Sequence, residues 1–149
     1  MRERLEINPA DGSMALLPSG TAIAKGLRKA DAEAQLGAFA RGSREHGNGY
    51  AWLSFQGFDL GGMPCWLSLG FHEGLLDMAL ISVDLPGAPV EDGWPTKKAI
   101  DKEVAFVRQV LREQLGRSFG SGTESFPWGT AWSLFDPKGF TASAGVRYA

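Results

Sequence analysis

Cys65, His46 and His72 are the thiol and the two imidazoles of this chain, and they offer its one route to a covalent nucleophile. A thiol attacks only as thiolate, which takes an adjacent base and an electropositive setting. Cys65 falls in Pro64-Cys65-Trp66-Leu67-Ser68-Leu69-Gly70-Phe71, where Cys65, Leu67, Leu69 and Phe71 share one side of a period-two pattern. On that side a cysteine packs as a small hydrophobe. His72 lies in the turn His72-Glu73-Gly74, and neither histidine has metal-ligand spacing to Cys, Asp or Glu. The glycine-rich stretch Gly120-Ser121-Gly122-Thr123-Glu124-Ser125 lacks the lysine of a phosphate cradle. Ser54, Ser68 and Ser82 are strand residues without the sharp elbow of a nucleophilic serine. The expectation is no catalytic residue, no cofactor and no metal.

Chemistry of recognition is better represented. From Glu73 to Asp92 the chain carries Glu73, Asp77, Asp84, Glu91 and Asp92 and no basic residue. Such a run reads either as a solvated sheet face and loop or as an acidic patch that speeds association with a basic partner. Trp94 and Trp128 sit in loop segments, Trp128 within Phe126-Pro127-Trp128-Gly129. Loop tryptophans are lids over a core or, when exposed, the anchors that dominate interface energy. These seven residues are the expected partner-binding set.

Composition bounds the setting. A chain of 149 residues with 44% hydrophobic and 21% charged residues reads as one globular α+β domain over 1–149. A net charge of −2 gives no reason to expect nucleic acid or an anionic membrane as partner. One cysteine forms no internal disulfide, no secretory signal is visible at the start, and no stretch is apolar enough to span a bilayer. The expected compartment is the cytoplasm.

The elements that must position these residues follow from periodicity. Pro64 to Asp84 reads as a β-hairpin, and its second arm, apolar on both faces, belongs in the middle of a sheet. Tyr50 to Phe58 adds a third strand, with Ala51, Leu53 and Phe55 on one face. Gly26 to Gly37 reads as a short surface helix with Leu27, Ala30, Ala34 and Leu36 as its apolar stripe and Gly37 as its stop. Residues 41–49 and 85–95 read as loops, rich in glycine or proline. Thr96 predicts the N-cap of a helix over Lys97 to Leu115, with Ile100, Val104, Val107, Leu111 and Leu115 on one stripe and Gly116 as its end. Thr130 to Phe135 and Phe140 to Tyr148 predict a last hairpin across the turn Asp136-Pro137-Lys138-Gly139. The expected order is α-β-β-β-α-β-β, an antiparallel sheet of about five strands with helices on one face.

Two resemblances bear on function. The helix Gly26-Leu27 to Leu36-Gly37 followed by Leu67–Ile81 is similar to the opening unit of β-lactamase-inhibitor-like and outer-membrane-assembly lipoprotein domains, which implies a helix followed by antiparallel strands. The segment Pro127-Trp128-Gly129-Thr130-Ala131-Trp132-Ser133-Leu134-Phe135-Asp136-Pro137-Lys138-Gly139, with a final strand ending Arg147-Tyr148, resembles small bacterial toxin-immunity proteins. That resemblance implies a non-enzymatic, cytoplasmic inhibitor that binds a protein, with a basic toxin domain meeting the acidic patch. Two other readings stay open. One is a small-ligand protein or enzyme with a cleft by the C-terminal hairpin, where Asp136, Lys138 and Arg147 would supply polar contacts. The other is an assembly subunit with Trp128 in a self-interface.

Overall fold

The computed structural model describes residues 2–87 and 89–149. Its strands are β1 (Arg4–Ile7), β2 (Met14–Leu17), β3 (Thr21–Ile23), β4 (Ala40–Glu45), β5 (Tyr50–Leu60), β6 (Met63–His72), β7 (Leu75–Val83), β8 (Val90–Glu91), β9 (Trp94–Pro95), β10 (Thr123–Phe126), β11 (Gly129–Asp136) and β12 (Thr141–Tyr148). Two α-helices interrupt them, α1 (Lys29–Gln35) after β3 and α2 (Lys97–Leu115) after β9.

The architecture is α+β, but the sheet has ten strands where about five were expected. The path runs β10-β11-β12-β7-β6-β5-β1-β2-β3, with β4 also paired to β5, and β8–β9 forms a separate two-stranded ribbon. All pairs are antiparallel except β1 with β5, which meet in parallel at Arg4 and Asp59. The expected meander β5-β6-β7 sits at the centre, and β7 lies between β6 and β12. Every expected inward residue of β6 is buried, from Cys65 to Phe71.

Several expectations fail for identifiable reasons. Residues 40–45 are an edge strand rather than a loop; all six residues are exposed, so the strand carries no apolar alternation to announce it. Residues 85–95 contain the β8–β9 hairpin, turned by Asp92-Gly93, both with positive φ. Thr123–Phe126 is likewise a strand, held by β11. Within α1 the buried residue is Ala32, not Ala30 or Ala34, while Leu36 is buried as expected, at the C-cap, with Gly37 following it. Phe140, expected as the first residue of the last strand, instead ends the turn, exposed and in a left-handed conformation, and the strand starts at Thr141.

Bulges explain why the apolar pattern was hard to follow. β5 skips a register step at Gly57, whose φ of 110° excludes most side chains. The skip turns Phe58 and Leu60 onto the same side as Leu53 and Phe55, and all four are buried. A second bulge at Asp77 of β7 returns Leu76 to the side of Ala79 and Ile81.

The core lies on one side of the sheet and is filled by α2. Thr96 caps the helix, accepting the Ala99 N–H at 3.1 Å, and Gly116 ends it at φ 68°. The expected stripe from Ile100 to Leu115 is buried against β7, β11 and β12. The sheet then rolls round the helix. Ile7 N–H of β1 donates to Gln114 Oε1 at 2.8 Å on one flank, while Arg108 Nε donates to the Ser133 carbonyl at 2.9 Å on the other. Ser133, the buried polar side chain of β11, donates its hydroxyl to the Val104 carbonyl at 2.9 Å. The two ends of the sheet meet where Tyr148 Oη donates to the Gly12 carbonyl at 2.8 Å and Trp128 Nε1 to the Pro9 carbonyl at 3.0 Å. Because α2 is the common filling, Leu111→Ala, at a site with 0% exposure, should lower unfolding free energy by about 2–5 kcal/mol in a urea titration. A loss under about 1 kcal/mol would mean the helix is not the core's keystone.

Candidate partner-binding surfaces

The thiol and the imidazoles are kept apart by the sheet itself. Cys65 is 2% exposed on the inner face, and its Sγ donates to the Trp66 carbonyl at 3.4 Å. Burial, reinforced by Asp59, Asp84 and Glu103, pushes its pKa up to about 12. His46 lines a depression on the outer face, and His72, at the β6–β7 turn, stacks on Tyr50 with ring centres 4.4 Å apart. A strand's successive side chains leave on opposite faces, so no rotamer change joins Cys65 to either ring. Ser54 and Ser68 also face outward, Oγ to Oγ 3.4 Å. Among the described residues no three His, Cys, Asp or Glu side chains group as a metal site. No helix among them is long and apolar enough to cross a membrane.

The cleft expected beside the C-terminal hairpin does not form from the residues proposed for it. Asp136 Oδ1 accepts the Lys138 N–H at 3.0 Å, a contact internal to the turn. Arg147 leaves the sheet on the outer face, away from α2, with its guanidinium 3.8 Å from Met78 Sδ. A crevice of about 240 Å³ does lie between α2 and the start of β12, lined by Asp84, Pro95, Glu103 and Thr141 among others. Glu103 accepts the Val83 N–H at 3.3 Å. Burial, and less strongly the nearby Asp84, raises its pKa, while the Val83 N–H opposes that shift.

The five acidic residues of the expected patch are divided. Glu73 lies in the β6–β7 turn and Asp84 just past the far end of β7, a strand roughly 30 Å long. Asp77 sits at the β7 bulge between them. Asp84, Glu91 and Asp92 gather at one end of the roll with Trp94, which is 75% exposed on β9. Residues 84–103 together hold five carboxylates and three lysines, and Lys97 is paired with Asp101 at 2.7 Å. Trp128 is different. It stacks on Phe126 at 4.7 Å and covers Gly12, where an added Cβ would come within 2.4 Å of its ring. It is a lid joining the two ends of the sheet, its Nε1–H donating to the Pro9 carbonyl.

The outer face of β4, β5, β6, β7, β12 and β11 was missed as a unit by sequence reading. It carries Trp52, Trp66 and Trp132, each partly exposed, and no second layer of the described residues covers it. The signal was present: Trp52, Trp66 and Trp132 all occupy the outward phase of their strands.

No protein-family model matches this sequence, and no curated protein matches it. A chain in the solved structure of Rhs1-CT in complex with its cognate immunity protein RhsI1 has a similar fold. The two align with a TM-score of 0.53 at 14% identity, over 97% of this chain and 86% of that one. The likeness is one of fold.

The buried thiol makes a pH prediction with a definite sign. Its pKa is raised above the unfolded value of 9.0, so the stability it contributes is intact below pH 9 and is lost as pH rises from 9 toward 12. The Tyr148 hydroxyl, also raised by burial from 10.0, acts in the same direction. The urea midpoint should fall over this interval, and less steeply in C65A. Maleimide should label Cys65 at pH 8 only after denaturation. Rapid labelling of the native chain would remove the buried-thiol assignment.

Proposed function

We propose that this chain is a non-enzymatic inhibitor that works by binding another protein, in the manner of a toxin-immunity protein. The observation that carries the reading is the fold match along 97% of the chain to part of a toxin–immunity complex. The separation of Cys65 from both histidines by the sheet supports it, since the one thiol nucleophile the sequence offers is not assembled. Binding of this kind uses a preformed surface rather than a deep pocket.

The expected contact set is narrowed in this reading. Trp94 is the anchor: it is large, exposed, and held on a two-stranded ribbon, so its burial against a partner would cost little conformational entropy. Glu91 pairs with Trp94 across the ribbon, Asp92 lies in its turn and Asp84 lines a crevice with Pro95. These carboxylates would favour a basic patch on the partner, such as that of a nucleic-acid-cleaving toxin domain. Glu73 and Asp77 lie too far along β7 to join the same contact, and Trp128 contributes by holding the roll closed.

The test is co-expression with the protein encoded beside this one. A stable 1:1 complex on gel filtration and relief of that protein's toxicity are expected. Trp94→Ala should weaken the complex by about tenfold or more while leaving the circular dichroism unchanged. Absence of both complex and protection would remove the inhibitor reading.

A further inference from the structure

On the outer face, one cross-strand row reads Arg44, Trp52, Gly70, Met78 and Arg147 across β4, β5, β6, β7 and β12. The Trp52 ring lies over Gly70 and beside Met78: a Cβ added at Gly70 would stand 2.9 Å from the ring and 3.1 Å from the Met78 side chain. The adjacent row is low, because Gly42, Ser54, Ser68, Leu80 and Gly145 follow one another across the same strands. Trp66, 39% exposed, rises beyond it. The result is a trough between tryptophans with serines in its floor, and a depression of about 530 Å³ runs along it from β4 to β7, lined by Arg44, His46, Trp52, Ser54, Ser68 and Leu80 among others. Trp132, paired with Gly145, stands at the other end and donates Nε1–H to Ser143 Oγ at 3.0 Å.

Both arginines lack a carboxylate. Among the described residues neither Arg44 nor Arg147 makes an ion pair, although the chain carries more acid than base. Asp77, next to Met78 in the β7 bulge, makes none with Arg147 either. A guanidinium with a planar fork and no carboxylate of its own chain is suited to one from outside. With four strand spacings between them, the two backbone positions are roughly 19 Å apart. An extended segment of about six residues spans that length.

We infer that this trough binds an acidic segment of the partner protein: an extended stretch with a carboxylate at each end and apolar side chains between. The inference rests on the reading that the chain binds a protein, and it deepens that reading by giving the sheet face a partner chemistry opposite to that of the Trp94 end. Apolar side chains of the segment would lie against Trp52 and Met78, and its terminal carboxylates would meet Arg44 and Arg147. A single-stranded nucleic acid would also stack on tryptophans and pair with arginines. The net charge of −2 and the fold match to a protein complex favour the protein segment.

The experiment is an NMR titration of the full chain with three probes. The first is a heptapeptide with glutamate at both ends and leucine and phenylalanine between; the second has lysine at both ends; the third is oligothymidine. The expected result is saturable movement of the Trp52 and Trp132 indole N–H signals with the glutamate peptide, at least about tenfold tighter than with the lysine peptide. In R44E/R147E, whose substitutions are on exposed side chains, the order of the two peptides should reverse. Equal response to both peptides, no saturable shift, or tighter arginine-dependent binding of oligothymidine would overturn the inference. The outcome separates from that of co-expression. A complex that forms although the peptide is ignored sinks the trough alone, and peptide binding without any complex or protection sinks the inhibitor reading.

Discussion

α2 has nineteen residues, so it is roughly 28 Å long and about 10–12 Å wide, whereas the nine strands of the main sheet path span about 38 Å if laid flat. A flat sheet would leave most of its apolar side in water. Rolling the sheet round the helix is the arrangement that buries Leu5 and Ile7 of β1 with Ala144 and Val146 of β12 in one continuous cluster. The bulges at Gly57 and Asp77 allow this, since a bulge bends its strand and adds twist. Closure then depends on short polar contacts between ends far apart in sequence. Tyr148 reaches Gly12, Trp128 reaches Pro9, and Lys25 Nζ donates to the carbonyl of Ala149.

The same geometry accounts for the unusual outer face. α2 is spent on the inside and α1 is tied to the β6–β7 turn, so among the described residues the outside of the central strands has no layer to cover it. Such a face must hold its own shape, and it does so by letting large side chains lie across small neighbours. Trp52 covers Gly70, and Trp132 stands opposite Gly145. Each glycine weakens its strand on its own account, and the ring recovers part of that loss by cross-strand packing. The tryptophans therefore have a structural role that leaves part of each ring in solvent.

Legibility from sequence followed burial contrast. α2 was readable to the residue because its cap, stripe and stop all agree, and β6 because its alternation is unbroken. β4 was invisible, since an edge strand exposed on both sides lacks the pattern that betrays strands. α1 was placed but its face was misjudged, because a seven-residue helix is positioned by the β6–β7 hairpin rather than by its own stripe. Lys29 N–H bonds the Gly74 carbonyl and Leu76 N–H the Leu27 carbonyl. The Asp92-Gly93 hairpin carried a turn signal that the surrounding prolines obscured. Of the residues proposed for recognition, Trp94 was legible from its proline- and glycine-rich segment, while Trp52, Trp66 and Trp132 were not, because an outward phase alone does not separate a solvated face from a contact face.

Charge was the least transferable signal, for a reason of length scale. An acidic run of twenty residues looks like a patch in one dimension, but a nine-residue strand within it separates its two ends by roughly 30 Å. At physiological ionic strength exposed charges lose sight of each other beyond about 8 Å. Glu73 and Asp84 therefore act on different neighbours: Glu73 lies 3.8 Å from His72, and Asp84 reinforces the raised pKa of Glu103. Arg44 and Arg147 are 103 positions apart in the chain, yet a single cross-strand row connects them. What the surface presents is set by strand order and register, so a surface of mixed sign, acid at one end and arginine across the sheet, is compatible with a chain whose net charge is only −2.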